Sequence, residues 1–259
     1  NPSTKLIYCE TMSNPLLEIA DIKAISEIAK THNLKLVVDN TFSPLSISPA
    51  TLGADIVIHS LTKFINGASD GVGGVVCGTQ QFIDDLRNVN NGAAMLFGAT
   101  LDSLRSASIL KNLRTLNVRV KQHSKNAFYL ARKFESVGIK TIYPGLKSNK
   151  FNTIFEKQMN AEYGFGGMLT IDVGSLEIAN NLMELMQNKN LGYLAVSLGF
   201  YKTLFSAPGT STSSEIESDK QKKIGLKPGL IRFSIGIDND IKKTFVEMRN
   251  CMKFLNIIK

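Results

Sequence analysis

Residues 54–63 read ADIVIHSLTK, an apolar run that closes on two hydroxyls and a lysine. The run predicts a buried strand over 54–60. Ser60, Thr62 and Lys63 then stand at its carboxyl end, and the small residues of NGASDGVGG (66–74) follow. Upstream, TKLIYCE (4–10) and LKLVVD (34–39) read as buried strands. Between them ADIKAISEIAKTHN (20–33) reads as a helix with Ile22, Ile25, Ile28 and Ala29 on one face and Asn33 suited to its end. Downstream, GGVVCG (73–78) is a fourth strand and QFIDDLRNV (81–89) a short helix. Strands alternating with helices predict an α/β fold: a mainly parallel sheet with helices on both faces.

The order changes beyond residue 100. A helical pattern over 101–135, with Leu101, Leu104, Leu113, Leu116 and Val120 as its first stripe, is long enough to connect two domains. Short strands follow at 140–144 and 167–174, then the helix SLEIANNLMELMQ, the strands GYLAVSLG and GLIRFSIGI, and a closing amphipathic helix. This is a separate α+β unit, with the division placed between 1–116 and 117–259. The polar segment 206–223 reads as an exposed loop near a cleft.

Composition narrows the classes. The chain has 259 residues, 43% of them apolar, a net charge of +8 and a mean hydropathy near zero. No run approaches the about 18 apolar residues of a membrane span, so no membrane partner is expected. The basic residues are scattered, and no zinc-finger spacing or basic heptad is present, so nucleic acid is not expected as a partner either. Three widely spaced cysteines argue against a disulfide scaffold and for a reducing compartment. Cys9 and Cys77 read as small core residues. His32, His59 and His123 are isolated, so no metal site is expected.

Open parallel sheets bind ligands outside the carboxyl ends of their strands. Asp39, Ser60, Thr62 and Lys63 all fall there, with Asn14 just past the first strand. A lysine kept neutral can form a Schiff base with a carbonyl. Neighbouring hydroxyls can cradle a phosphate, and a carboxylate can hold a protonated ring nitrogen. Pyridoxal 5′-phosphate satisfies all three. The bland readings stay open at this point: a strand-end aspartate as a turn or cap residue, a solvated lysine, a common Ser-x-Thr pair.

The motifs add a resemblance. VVDNTF followed by LGADIVIHSLTKFINGASD is similar to the Cys/Met-metabolism family of pyridoxal-phosphate enzymes, and so are LKNLRTLNVRVKQHSKNA, YPGL, GGMLTIDV, AVSLG and GLIRFSIGID. The resemblance covers essentially the whole chain and lacks the family's N-terminal third, so a fragment is expected. It implies the PLP-dependent transferase fold of type I. It implies Lys63 as the Schiff-base lysine, Asp39 as the partner of the pyridine nitrogen, Ser60 and Thr62 on the cofactor phosphate, and Asn14 near the ring hydroxyl. Arg232 is implied as the clamp on the substrate α-carboxylate, and Ser197 as a pocket serine. The implied reaction is γ-elimination of methionine or a related amino acid to a thiol, a 2-oxo acid and ammonia. The alternatives are γ-replacement on an activated homoserine, or an inactive fragment. The implied setting is the cytoplasm. The implied partners are a small amino acid and further copies of the chain, a homo-oligomer that in the full-length family is a tetramer built as a dimer of dimers.

Three departures bear on this. GASD (67–70) puts Ala68 where the family often has histidine. SLGFYKTL puts Lys202 where many members carry a glutamate, which would disfavour a substrate with a distal ammonium. APGTSTSS (207–214) changes the pocket rim. The absent segment supplies, in the family, a ring that stacks on the cofactor and groups that reach across a dimer. This chain alone is therefore expected to bind cofactor weakly and turn over poorly.

Overall fold

The fold was examined in a computed structural model, which describes residues 1–211 and 216–259. The rim residues 212–215 lie outside the described residues. The first sheet is built of β1 (Leu6–Glu10), β2 (Lys35–Asp39), β3 (Ile56–Ser60) and β4 (Gly74–Cys77), in that order. β1, β2 and β3 run parallel and β4 returns antiparallel. Between β1 and β2 lies α1 (Ile22–Thr31), capped by the Asp21 carboxylate, which accepts from the Ala24 N–H. Asn33, at φ 50°, turns the chain out of it as read from the sequence. Ile22, Ser26 and Ala29 form the buried face of α1, whereas Ile28 is 54% exposed. The apolar row is narrower than its isoleucines indicate.

α1 covers one face of this sheet, where Leu36 and Val38 join Met12, Leu17 and Ile22 in a core. On the other face Leu6, Tyr8 and Val76 are exposed, so the two-sided cover expected of a parallel sheet is absent there among the described residues. Cys77 is exposed as well, not a core residue.

After β4 come α2 (Gln80–Leu86), α3 (Ala93–Leu96), α4 (Ser103–Leu113) and α5 (Leu116–Ser136). The single long helix expected over 101–135 is thus two. They part at Arg114–Thr115, where the Thr115 hydroxyl donates to the Asn112 carbonyl and draws the backbone out of the helix. The apolar stripe breaks with it: Leu116 and Val120 are buried, but Leu104 is 83% exposed.

The second sheet has the order β5-β6-β9-β8-β7. Its strands are β5 (Lys140–Ile142), β6 (Met168–Asp172), β7 (Tyr193–Leu194), β8 (Leu204–Ser206) and β9 (Leu230–Ser234). Only β7 and β8 pair in parallel. α5, α7 (Leu176–Asn188) and α9 (Ile241–Phe254) pack on it around Phe134, Leu182, Phe233 and Met248. α6 (Asn152–Gln158), absent from the sequence reading, lies between β5 and β6. Part of the polar segment expected as loop forms α8 (Ser218–Lys223). The strand read from GYLAVSLG shrinks to Tyr193–Leu194, because the chain leaves the sheet after Ala195 and residues 197–199 meet the segment after β3. Phe64, Phe155, Met168 and Leu198 join the core of the first sheet, so the two halves share packing.

Candidate active site

Strand register places the acidic end of the site. Asp39 is paired with Glu10 of β1 and Ile58 of β3, so alternation puts Tyr8, Glu10, Asp39, Ile58 and Ser60 on one face, the open one. The Asp39 carboxylate accepts from the Thr41 N–H at 2.9 Å and from the Tyr8 hydroxyl at 3.3 Å. The Thr41 hydroxyl in turn accepts from the Ser60 N–H at 2.8 Å. Thr41 thereby ties the end of β2 to the end of β3. Burial, and then the nearby Asp39 charge, push both the Tyr8 phenol and the Glu10 carboxyl above their ordinary ranges.

Past β3 the chain makes one wide helical turn, Leu61–Ile65, interrupted at Lys63 by φ −91° and ψ −130°. Thr62 faces back: its hydroxyl accepts from the Gly73 N–H at 3.1 Å and donates to the Gly73 carbonyl at 3.4 Å, pinning the returning loop. Lys63 Nζ donates to Ser197 Oγ at 3.4 Å. Burial, and then the positive charge of Arg232, hold the Lys63 amine below the ordinary lysine range. Among the described residues no carboxylate is in ion-pair reach of it.

Arg232 stands in the middle of β9 and is 2% exposed. Its Nη1 donates to Asn14 Oδ1 at 2.9 Å, and its Nη2 to the Val196 carbonyl at 2.7 Å and the Ser197 carbonyl at 3.4 Å. Among the described residues its buried Nε–H has no partner. Burial lowers its pKa to about 10. Lys63, Ser197, Arg232 and Asn14, drawn from four separate segments, therefore form one connected cluster. Thr62 and Ser197 also line a cavity of about 450 Å³ that Asp70 and Arg105 border.

The geometry fits an aldehyde carried on a basic ring. The amine at Lys63 is free of acid and held toward its neutral form, Asp39 offers a carboxylate on the open face, and Arg232 keeps a buried donor unspent. Lys202 is placed differently from the sequence reading. It is exposed, donates to the Tyr193 hydroxyl at 2.9 Å, and lines a separate cavity of about 280 Å³ with Tyr201 and Asp238. Its charge gives no ground for choosing among substrates. Thr41 and Arg119 were not singled out from sequence. Thr41 was legible two places after a strand-end aspartate, where an aspartate side chain commonly takes a backbone N–H.

Comparison with known proteins identifies the family. A family model described as Cys/Met metabolism PLP-dependent enzyme matches residues 1–247. A methionine gamma-lyase of Arabidopsis thaliana is 38% identical over 245 residues, which is 94% of this chain and 56% of that protein. The crystal structure of a cystathionine gamma synthase from Xanthomonas oryzae pv. oryzae superposes with a TM-score of 0.89 at 31% identity, covering 97% of this chain and 64% of that one. A putative O-acetylhomoserine (thiol)-lyase from Campylobacter jejuni, solved with a pyridoxyl-lysine monophosphate, gives 0.88 at 28% identity over 98% of this chain. The chain spans about 56% of the length of that plant lyase.

Proposed function

The chain belongs to the Cys/Met metabolism PLP-dependent enzyme family, and from that premise we propose that it carries the pyridoxal 5′-phosphate centre of a sulfur amino-acid lyase. The reaction is γ-elimination from methionine or a related substrate, with water, to a thiol, a 2-oxo acid and ammonia. The observation that carries the reading is the cluster in which Lys63 and Arg232 meet at Ser197. When bound, the cofactor supplies a sink for the electron pair left at the substrate Cα. Lys63 is the amine that would hold the cofactor aldehyde, and it would also serve as the base for the substrate Cα proton. Its lowered basicity shifts the amine toward the neutral form that both tasks need. Asp39 would hold the ring N–H, Ser60 and Thr62 the phosphate, and Asn14 the ring edge. Arg232 receives the substrate carboxylate with Ser197 beside it; a planar guanidinium suits that group.

In this reading residues 1–116 form the cofactor-binding part and 117–259 the C-terminal α+β part. The working form is a homo-oligomer in the cytoplasm. Incubation with pyridoxal phosphate, borohydride reduction and peptide mapping test the centre: a pyridoxyl adduct on the peptide holding Lys63 is expected, and its absence there refutes the assignment. Methionine supplied alone should yield methanethiol. The fold shared with a cystathionine gamma synthase supports a second reading, γ-replacement. That reaction requires an activated homoserine together with cysteine or sulfide, and would leave methionine untouched.

A further inference from the structure

We propose that Arg119 is a positioning residue for Lys63: its guanidinium holds the backbone immediately after the lysine and so sets the direction of the amine. The inference deepens the reading of Lys63 as the cofactor lysine and rests on it. The turn at Leu61–Ile65 cannot satisfy itself, because Lys63 departs from helical angles. Within the turn the Leu61 carbonyl accepts from the Asn66 N–H and the Lys63 carbonyl from the Gly67 N–H. The carbonyls of Phe64 and Ile65 face α5 instead. There Arg119 Nη1 donates to Phe64 O at 2.6 Å and Nη2 to Ile65 O at 2.8 Å. The same side chain donates to the Asn112 carbonyl at 3.1 Å and, through Nε, to the Thr115 hydroxyl at 3.1 Å.

Every one of these acceptors is neutral. Among the described residues Arg119 has no carboxylate partner, although burial already lowers its pKa. A half-buried cation without an acid is costly unless its donors are spent on the groups around it. Here they are spent on the two carbonyls that follow Lys63. The surroundings reserve the space: a Cβ on Gly67 would come within 2.3 Å of Arg119 Nη1. The opposite side is closed too. Gly199, at φ +77°, lies so near that a Cβ there would stand 2.3 Å from the Phe64 N, and its own N–H is fixed by Ser234 Oγ at 2.8 Å. The backbone of Phe64, the residue after Lys63, is therefore held between Gly199 at its nitrogen and Arg119 at its carbonyl. The Asn112 amide, donating to Asn66 Oδ1 at 2.7 Å, closes the network.

The test uses the full chain with Arg119→Met and Arg119→Lys, without cofactor. Lys63 is labelled with fluorodinitrobenzene across a pH series and quantified by peptide mapping, while circular dichroism follows the fold. Beyond burial, Arg232 of β9 is the charged group whose field reaches the amine. Loss of the clamp lets the side chain leave that environment. The labelling midpoint should rise toward that of an ordinary lysine in Arg119→Met, and rise less in Arg119→Lys, whose single nitrogen cannot serve both carbonyls. A lowered melting temperature with an unchanged midpoint in the folded variants would mean a merely structural arginine and overturn the proposal. If Arg119→Met does not fold, Arg119→Lys decides alone by the same midpoint. Borohydride mapping of the wild-type chain with pyridoxal phosphate is run beside it. Absence of the Lys63 adduct there defeats the functional reading, whatever the labelling midpoints show.

Discussion

Behind the lysine loop lies a second titratable residue with a different consequence. His123 is fully buried on α5, its ring edge-on to Phe64 at 5.3 Å between centroids. Its Nδ1 is bonded to the Ile235 carbonyl at 2.6 Å, and its Nε2 has no partner among the described residues. Burial lowers its pKa from 6.5 to about 4. Between those values the unfolded chain binds a proton that the folded chain refuses. Stability contributed by neutral His123 is therefore complete above pH 6.5 and is lost progressively as pH falls toward 4. A displacement of this size corresponds to about 3 kcal/mol, as an order of magnitude. Urea denaturation at a series of pH values should show that slope, and His123→Asn should flatten it while lowering stability overall. At the same scale, Arg232→Lys should raise KM by about 10- to 100-fold for substrates with an α-carboxylate, since a point charge replaces a planar fork. An unchanged KM would remove Arg232 from substrate binding.

Elements were legible where one physical signal ruled. β2 and β3 read correctly as apolar runs with polar ends, and the Asp21 cap and Asn33 stop framed α1. The failures come where a local pattern met a long-range demand. GYLAVSLG has strand composition, but the chain at Ser197 and Gly199 is taken by contacts to Lys63 and Phe64 that are distant in sequence. The stripe over 101–135 has helical spacing, yet Thr115 ends one helix and Arg119 in the next is spent on residues 64 and 65. Of the site, the motif residues Lys63, Ser197, Arg232 and Asn14 come together in one bonded cluster, but the supports Thr41 and Arg119 bond mostly to backbone, which leaves little trace in a sequence. Gly199 offers a test of this account. Its alanine variant adds a left-handed alanine, about 1–2 kcal/mol, and a Cβ that would collide with backbone. Gly225 has a similar φ of +82° and nothing within 4 Å of a built Cβ. Gly225→Ala should cost only the conformational strain. Gly199→Ala should cost at least about 2 kcal/mol more by urea denaturation and should suppress adduct formation at Lys63. Equal losses would show that the approach of Gly199 to the lysine loop is loose.

The molecule as a whole joins a covered sheet to one that is open. The second sheet buries Leu169, Ile171, Ile231 and Phe233 beneath three helices, whereas the first leaves Leu6, Tyr8 and Val76 in solvent on the face that also bears Asp39 and Ser60. The helices after it add Met95, Leu96, Phe97, Leu104 and Leu110, each more than half exposed. Scattered apolar residues need no explanation, but a concentration of this kind on one part of a chain is a feature of surfaces that meet another polypeptide. The proposed homo-oligomer accounts for it. A particle larger than 28.4 kDa is expected by light scattering coupled to size exclusion. Its melting temperature should rise with protein concentration, because association stabilises the folded state by mass action. Phe97→Asp and Leu104→Glu place charge on that surface without touching the Lys63 cluster. They should lower the mass toward that of one chain while the labelling midpoint of Lys63 stays where it is. A monomeric wild-type particle whose melting temperature is independent of concentration would assign these residues to some other cover than a second copy.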